Sequence, residues 1–174
     1  MTRKRLISIC SNFARRGSFA VMFLLLFVTN LAGQEPPPRP LEITVTGAGL
    51  SFGAFTLGAA GGSVTVNASG ARTSAGDVIL LGLGYPVSAA TFDLVANAGT
   101  LINLLDPADA LLSNGVYTMT LQLGAASPGT TFVINTDPPT ATVFSIGGSL
   151  LVGNIATNPP GSYTGTFNIT FIYE

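Results

Sequence analysis

The sequence predicts an all-β fold, a sandwich or barrel of short strands, and three observations predict it. Segments rich in Thr, Val and aromatic residues alternate apolar and polar side chains with period two, the spacing of a strand buried on one face. Gly, Asn and Pro interrupt them at short intervals, and Gly alone supplies 21 of 174 residues. The Ala pairs that could start a helix, Ala59-Ala60, Ala89-Ala90 and Ala125-Ala126, all lie close to Gly, Pro or Ser.

The strands follow in order. Glu42-Ile-Thr-Val-Thr46 puts Ile43 and Val45 on one face and Glu42, Thr44 and Thr46 on the other. Leu50-Ser-Phe-Gly-Ala-Phe55 continues after Gly47 and Gly49. Ser63-Val-Thr-Val-Asn67 turns Val64 and Val66 inward, with Gly61-Gly62 as a tight turn before it. Asp77-Val-Ile-Leu-Leu81 is a more continuous apolar strand between Gly76 and Gly82. In the segment from Ala89 to Ala96, Ala90, Phe92, Leu94 and Ala96 share a face and Asp93 points outward.

Asn114-Gly115 is a hairpin signal. The strand after it places Tyr117, Met119, Leu121 and Leu123 on one face. Residues 130–134 and 142–146 flank Asp137-Pro138-Pro139, and Leu150-Leu-Val152 forms a further strand after Gly147-Gly148. Residues 162–173 close the chain as its most regular strand, with Tyr163, Phe167, Ile169, Phe171 and Tyr173 alternating with Thr164, Thr166, Asn168 and Thr170. Ile172 breaks the polar face, which predicts cover on both sides at that end. At most one or two helical turns are expected, around 107–112, where Asp106 can cap the start.

Residues 1–33 read as an export signal. Arg3, Lys4, Arg5, Arg15 and Arg16 form a basic start, and an uncharged apolar run of ten residues extends from Phe19 to Val28. That run is too short for a bilayer core, which needs roughly 20 apolar residues, and suits a signal-peptide core. Cleavage is expected near Ala32 or Gly33, giving a secreted, periplasmic or cell-surface product with no transmembrane anchor in its mature part. Gln34 stands where a lipoprotein signal would have Cys. Arg15-Arg16 admits a twin-arginine reading, although Phe19 lies one place late for it. Residues 34–40 hold Glu35-Pro-Pro-Pro-Arg-Pro40, a proline-rich spacer that favours an extended chain. Residues 41–174 are the β-domain.

Without the signal, Arg39 and Arg72 remain against eight carboxylate side chains, a net charge of −6 with no Lys. Nucleic-acid binding needs clustered cations to neutralise phosphates, so this class is excluded, and attraction to anionic lipid is opposed as well. Cys10, the one cysteine, lies in the signal, so the mature part has no disulfide, thiol nucleophile or thiolate ligand.

The chain has no His, which removes the commonest general base and the imidazole metal ligand. Asp106 and Asp109 read as a solvated loop and cap, with calcium binding and a carboxylate-pair chemistry as alternatives. Gly47-Ala-Gly49 and Gly82-Leu-Gly84 lack the following helix and Lys of a phosphate cradle and read as turn or bulge glycines. Most aromatics sit at period two and read as core. Tyr85-Pro86 is the exposed-aromatic candidate for a carbohydrate or protein contact. Asn67-Ala-Ser69 and Asn168-Ile-Thr170 match glycosylation acceptor patterns, with Asn168 expected in a paired strand. No catalytic, cofactor or metal residue is assigned, and no cofactor is expected.

Several segments together carry a family resemblance: Gly61-Gly62-Ser-Val-Thr-Val66, Ser74-Ala-Gly-Asp77-Val78, Ser88-Ala-Ala-Thr-Phe92, Phe144-Ser-Ile-Gly147-Gly148-Ser-Leu150 and Gly161-Ser-Tyr163-Thr-Gly165-Thr-Phe167. Over nearly all of 41–174 the chain resembles the bacterial DUF4402 family, secreted domains of Gram-negative bacteria that look like fimbrial-subunit and adhesin domains. The resemblance implies an immunoglobulin-like, pilin-like β-sandwich of antiparallel Greek-key sheets. It also implies an exported structural or adhesive cell-surface subunit without catalytic activity, associating with itself or with other surface subunits. A monomeric periplasmic or extracellular module binding a carbohydrate or a protein is the alternative reading. The chain departs from classical fimbrial subunits in lacking a disulfide, and any strand donated to a neighbour would have to begin at about Leu41.

Overall fold

The computed structural model describes residues 40–174. The expected export signal at 1–33 and all but the last residue of the proline-rich spacer lie outside these residues. The described chain is all-β, with twelve strands: β1 (Glu42–Thr46), β2 (Ser51–Phe52), β3 (Ala54–Val66), β4 (Arg72–Leu81), β5 (Val87–Ser88), β6 (Ala90–Val95), β7 (Leu101–Leu104), β8 (Ala110–Asn114), β9 (Tyr117–Ser127), β10 (Thr131–Val133), β11 (Thr142–Val152) and β12 (Phe171–Tyr173). The expected helical turn at 107–112 is absent. Asp106 lies in an exposed loop, and β8 begins at Ala110, where the chain pairs with β9.

A seven-stranded antiparallel sheet is organised around β11. β9 pairs along one edge of β11, and β8 follows β9. The other edge of β11 is shared. Its first half, Thr142 to Ile146, pairs with β6, and its second half, Gly148 to Val152, pairs with β3. The sheet therefore forks at Gly147. A Cβ there would collide with the carbonyl oxygen of Val66, so the two branches close together only over a glycine. Here the sequence expectation fails for a physical reason: Gly147-Gly148 does not end a strand but lets one long strand serve two partners.

The β3–β4 ribbon shows the same behaviour. Gly61-Gly62 was expected as a turn, yet it lies inside β3, where the ladder shifts register between Leu57 and Gly62. Gly61 and Gly76 both have positive φ, of 73° and 75°. A Cβ on Gly76 would come within 2.7 Å of the Gly61 carbonyl oxygen. Backbone packs on backbone here, and the Asp77 carboxylate closes the outside of the bend by accepting from the Ala60 N–H at 3.2 Å.

The bend divides the ribbon into two arms. On one arm Val64 and Val66 are fully buried beside β11. On the other, Phe55 and Leu57 pair with Leu80 and Val78 and pack against the same apolar cluster, which also holds Met119, Leu121, Leu150 and Val152. One ribbon thus contributes to both sides of a core, a sandwich-like arrangement.

A second cluster lies at the other end of β11. Phe92, Leu94, Phe144 and Ile146 pack against Ile102 and Ile134, covered by the three-stranded sheet β10-β7-β12. Phe144, fully buried, stacks on Phe132 with ring centroids 5.9 Å apart and meets the edge of Phe171 at 5.0 Å. The alternation read in β6 holds, with Ala90, Phe92, Leu94 and Ala96 all buried.

The closing strand is shorter than expected. Only Phe171–Tyr173 pairs as a strand, with β7, although Thr164 forms an isolated bridge to Ser113. Period-two burial nevertheless persists: Tyr163, Phe167, Ile169 and Phe171 are half-buried and the residues between them are exposed. Ile172 and Tyr173 are largely exposed, so the expected cover on both sides of Ile172 is not there.

Candidate functional site

Two features of the described residues can meet a partner: a groove over the first core cluster and the free edge of β1. The groove arises because the distal arm of the β3–β4 ribbon and the loop before β5 stand apart from the segment 155–163. Its volume is about 660 Å³. Phe52, Met119 and Leu150 form its buried floor, while Tyr85, Ile155 and Tyr163 stand around the opening. The groove therefore takes in Tyr85-Pro86, the aromatic candidate read from the sequence, and Tyr85 is 67% exposed.

The walls are held by hydrogen bonds from side chain to backbone. Ser51 Oγ donates to the Pro86 carbonyl at 2.7 Å and ties the Tyr85 loop to β2. Opposite, the Asn158 amide is buried, accepting from the Gly153 N–H at 2.6 Å and donating to the Thr118 carbonyl at 2.8 Å. The Tyr163 hydroxyl donates to the Pro159 carbonyl at 3.0 Å. Behind the groove the Arg72 guanidinium, the only cation among the described residues, donates from Nη1 to the carbonyls of Phe52 at 2.7 Å and Ala54 at 3.0 Å. Its Nη2 donates to Leu81 at 3.2 Å. The sequence reading counted Arg72 only toward the net charge and passed over Asn158. Arg72 stood out as the one cation of 41–174, whereas nothing in the sequence sets Asn158 apart from Asn154.

The groove lining contains no Asp, Glu, Lys, Arg or His. It offers apolar contact, aromatic faces and hydroxyl or backbone hydrogen bonds, the equipment of a binding surface. Asp106 and Asp109 are exposed and lie outside it, and Asp109 accepts from Gln122 Nε2 at 3.2 Å. Among the described residues no group of three or more His, Cys, Asp or Glu could hold a metal ion. Asn67 closes the β3–β4 hairpin, its Oδ1 accepting from the N–H groups of Ser69 and Ala71. Asn168 is exposed and lies outside any strand rather than within a paired one.

The β1 edge differs in kind. β1 pairs with β6 along one side only, and Ile43 and Val45 stand opposite Leu94 and Phe92. Directly opposed residues share a sheet face, so Ile43 and Val45 point to the side on which Leu94 and Phe92 are buried. They are nevertheless 47% and 67% exposed. The covering layer stops short of the edge strand.

Comparisons with curated proteins and with solved structures give no match. The family model described as a domain of unknown function, DUF4402, matches residues 41–173, and the chain belongs to that family.

Proposed function

We propose that the chain is an exported structural or adhesive cell-surface subunit that works by contact and not by catalysis. In this reading residues 1–33 direct export, with cleavage near Ala32 or Gly33, and the domain is a sandwich of the immunoglobulin-like, pilin-like kind. The observation that carries the proposal is the open edge of β1, where a five-residue strand leaves core-side apolar residues uncovered next to a free backbone edge. Such an edge is a template for another strand. The domain's scarce cations and its apolar groove agree with a role in protein contact.

The test is expression of the full chain in a Gram-negative host, with fractionation, mass spectrometry of the N-terminus, and gels of unboiled and boiled samples. A cell-surface product that begins near Gln34 and gives a heat-labile ladder is the expected result. A strictly periplasmic monomer contradicts it.

The groove favours the second reading, a monomeric module for a carbohydrate or protein. Under that reading the mature chain is monomeric and binds its partner through Tyr85, and a glycan or peptide screen with Tyr85→Ala as control tests it.

A further inference from the structure

The free edges of the seven-stranded sheet are not equivalent. On β4, Arg72 stands opposite Val66 and so projects from the buried face, an inward charge of the kind that blocks edge pairing. The bend at Gly76 breaks the same edge. Its inward apolar positions, Val78 and Leu80, are buried or half-buried. The outer side of β8 is met by Thr164, whose N–H donates to the Ser113 carbonyl at 3.0 Å while its own carbonyl accepts from the Ser113 N–H at 2.8 Å. Among the described residues β1 has no such guard along its length, and its inward residues are open.

We propose that a second copy of this chain occupies the β1 edge, the two β1 strands running antiparallel about a two-fold axis between their Thr44 residues. The inference rests on the self-associating reading above and names its contact. In this register Ile43 of one copy stands opposite Val45 of the other. The uncovered apolar row then continues across both sheets from Leu94 of one to Phe92 of the other.

Charge selects the register. Glu42 is the only charged residue of β1, and the arrangement sets it against Thr46 of the second copy. The two Glu42 positions are then four residues apart along the strand, about 14 Å at 3.4 Å per residue. That exceeds the screening length of about 8 Å in physiological salt. A parallel in-register pairing would stack the two carboxylates on neighbouring strands, about 4.8 Å apart. Asp93 lies behind Thr44 on β6, so the two Asp93 residues are three strand spacings apart, again about 14 Å. The contact is isologous and closes on itself, so alone it yields a dimer, and rungs beyond the dimer in an unboiled ladder need a second contact elsewhere on the domain.

The absence of Cys after Cys10 makes the register directly testable. In the full chain carrying Cys10→Ser, an introduced cysteine is the only thiol. Opposed residues of an antiparallel pair have Cα atoms about 4.5–5.5 Å apart, within the range a disulfide spans. Thr44→Cys is expected to form a disulfide-linked dimer under mild oxidation at least ten-fold faster than Glu42→Cys or Thr46→Cys alone. An equimolar mixture of the latter two is expected to recover fast crosslinking as a mixed dimer. Val45→Lys added to Thr44→Cys should remove the advantage, with circular dichroism checking that the fold is kept. Equal rates for all three single variants overturn the proposal. So does a heat-labile ladder without Thr44→Cys crosslinking, which places self-association elsewhere and leaves the surface-subunit reading standing. A periplasmic monomer that does not crosslink removes both.

Discussion

Arg72 donates to the carbonyl oxygen of Phe52 at 2.7 Å, joining one arm of the bent β3–β4 ribbon to β2, the strand that leads into the other arm. Its side chain starts at the Val66 end of the ladder and reaches the Ala54 and Leu81 end, a distance that only the fold-back at Gly58–Gly62 makes short. The guanidinium suits this task because it presents several donors in a fixed plane. One cation donates to three backbone carbonyls at the junction of β2, β3 and β4.

Arg72→Ala is therefore expected to cost about 2–3 kcal/mol, since a charge-assisted hydrogen bond contributes roughly 1.5–3 kcal/mol and the freed carbonyls are only partly reached by water. Arg72→Lys should recover less than half, because one ammonium cannot span all three acceptors. Urea unfolding midpoints at unchanged m-value measure both.

The bend itself is tested by two glycines of like conformation. Gly61 and Gly84 have φ of 73° and 79°, but a Cβ on Gly61 would lie 2.6 Å from the Val152 carbonyl oxygen, whereas one on Gly84 meets nothing within 4 Å. Gly84→Ala then carries only left-handed strain, about 1 kcal/mol. Gly61→Ala adds an overpacking cost of roughly 1–3 kcal/mol. A difference of at least about 1 kcal/mol between the two variants in thermal or urea unfolding is the expected result, and equal destabilisation would mean that Gly61 is not packed against the Val152 carbonyl.

How much of this was legible depends on what each residue type can encode. Period two in Ala90, Phe92, Leu94 and Ala96 revealed a buried face because one face of β6 meets the core. The same reading put Ile43 and Val45 on one face of β1, but could not tell that the covering layer ends before them, since cover is a property of the opposing sheet. Gly61-Gly62 and Gly147-Gly148 misled because glycine marks turns and close backbone approach with the same letter, and here it marks approach. The last segment alternates from Tyr163 to Phe171 without a continuous ladder, as burial of side chains does not require the backbone to pair with a neighbour. At the groove Tyr85 was visible as an aromatic in a loop, whereas Asn158 and Arg72 act through backbone atoms distant in sequence, which no local pattern records.

Asn158 is the wall of the groove most sensitive to substitution. Its buried amide fills one donor and one acceptor need, of Thr118 and Gly153. Asn158→Leu leaves both backbone groups unpaired and should cost about 2–4 kcal/mol, at roughly 1–3 kcal/mol for each stranded group after local relaxation. Hydrogen exchange at the Gly153 amide is expected to accelerate with it, a local readout that general loss of stability would not single out.

Tyr85 separates stability from contact. Its ring is largely exposed, so Tyr85→Ala should change unfolding free energy by no more than about 0.5 kcal/mol, the usual range for a surface site. If the groove binds a partner through that ring, the same variant should weaken binding at least ten-fold in a glycan or peptide screen while Thr44→Cys crosslinking proceeds unchanged. The two surfaces lie on different elements, the loop before β5 and the edge of β1. Loss of binding with self-association intact therefore assigns recognition to the groove and assembly to the edge, and loss of both together would show that the groove is part of the assembly contact.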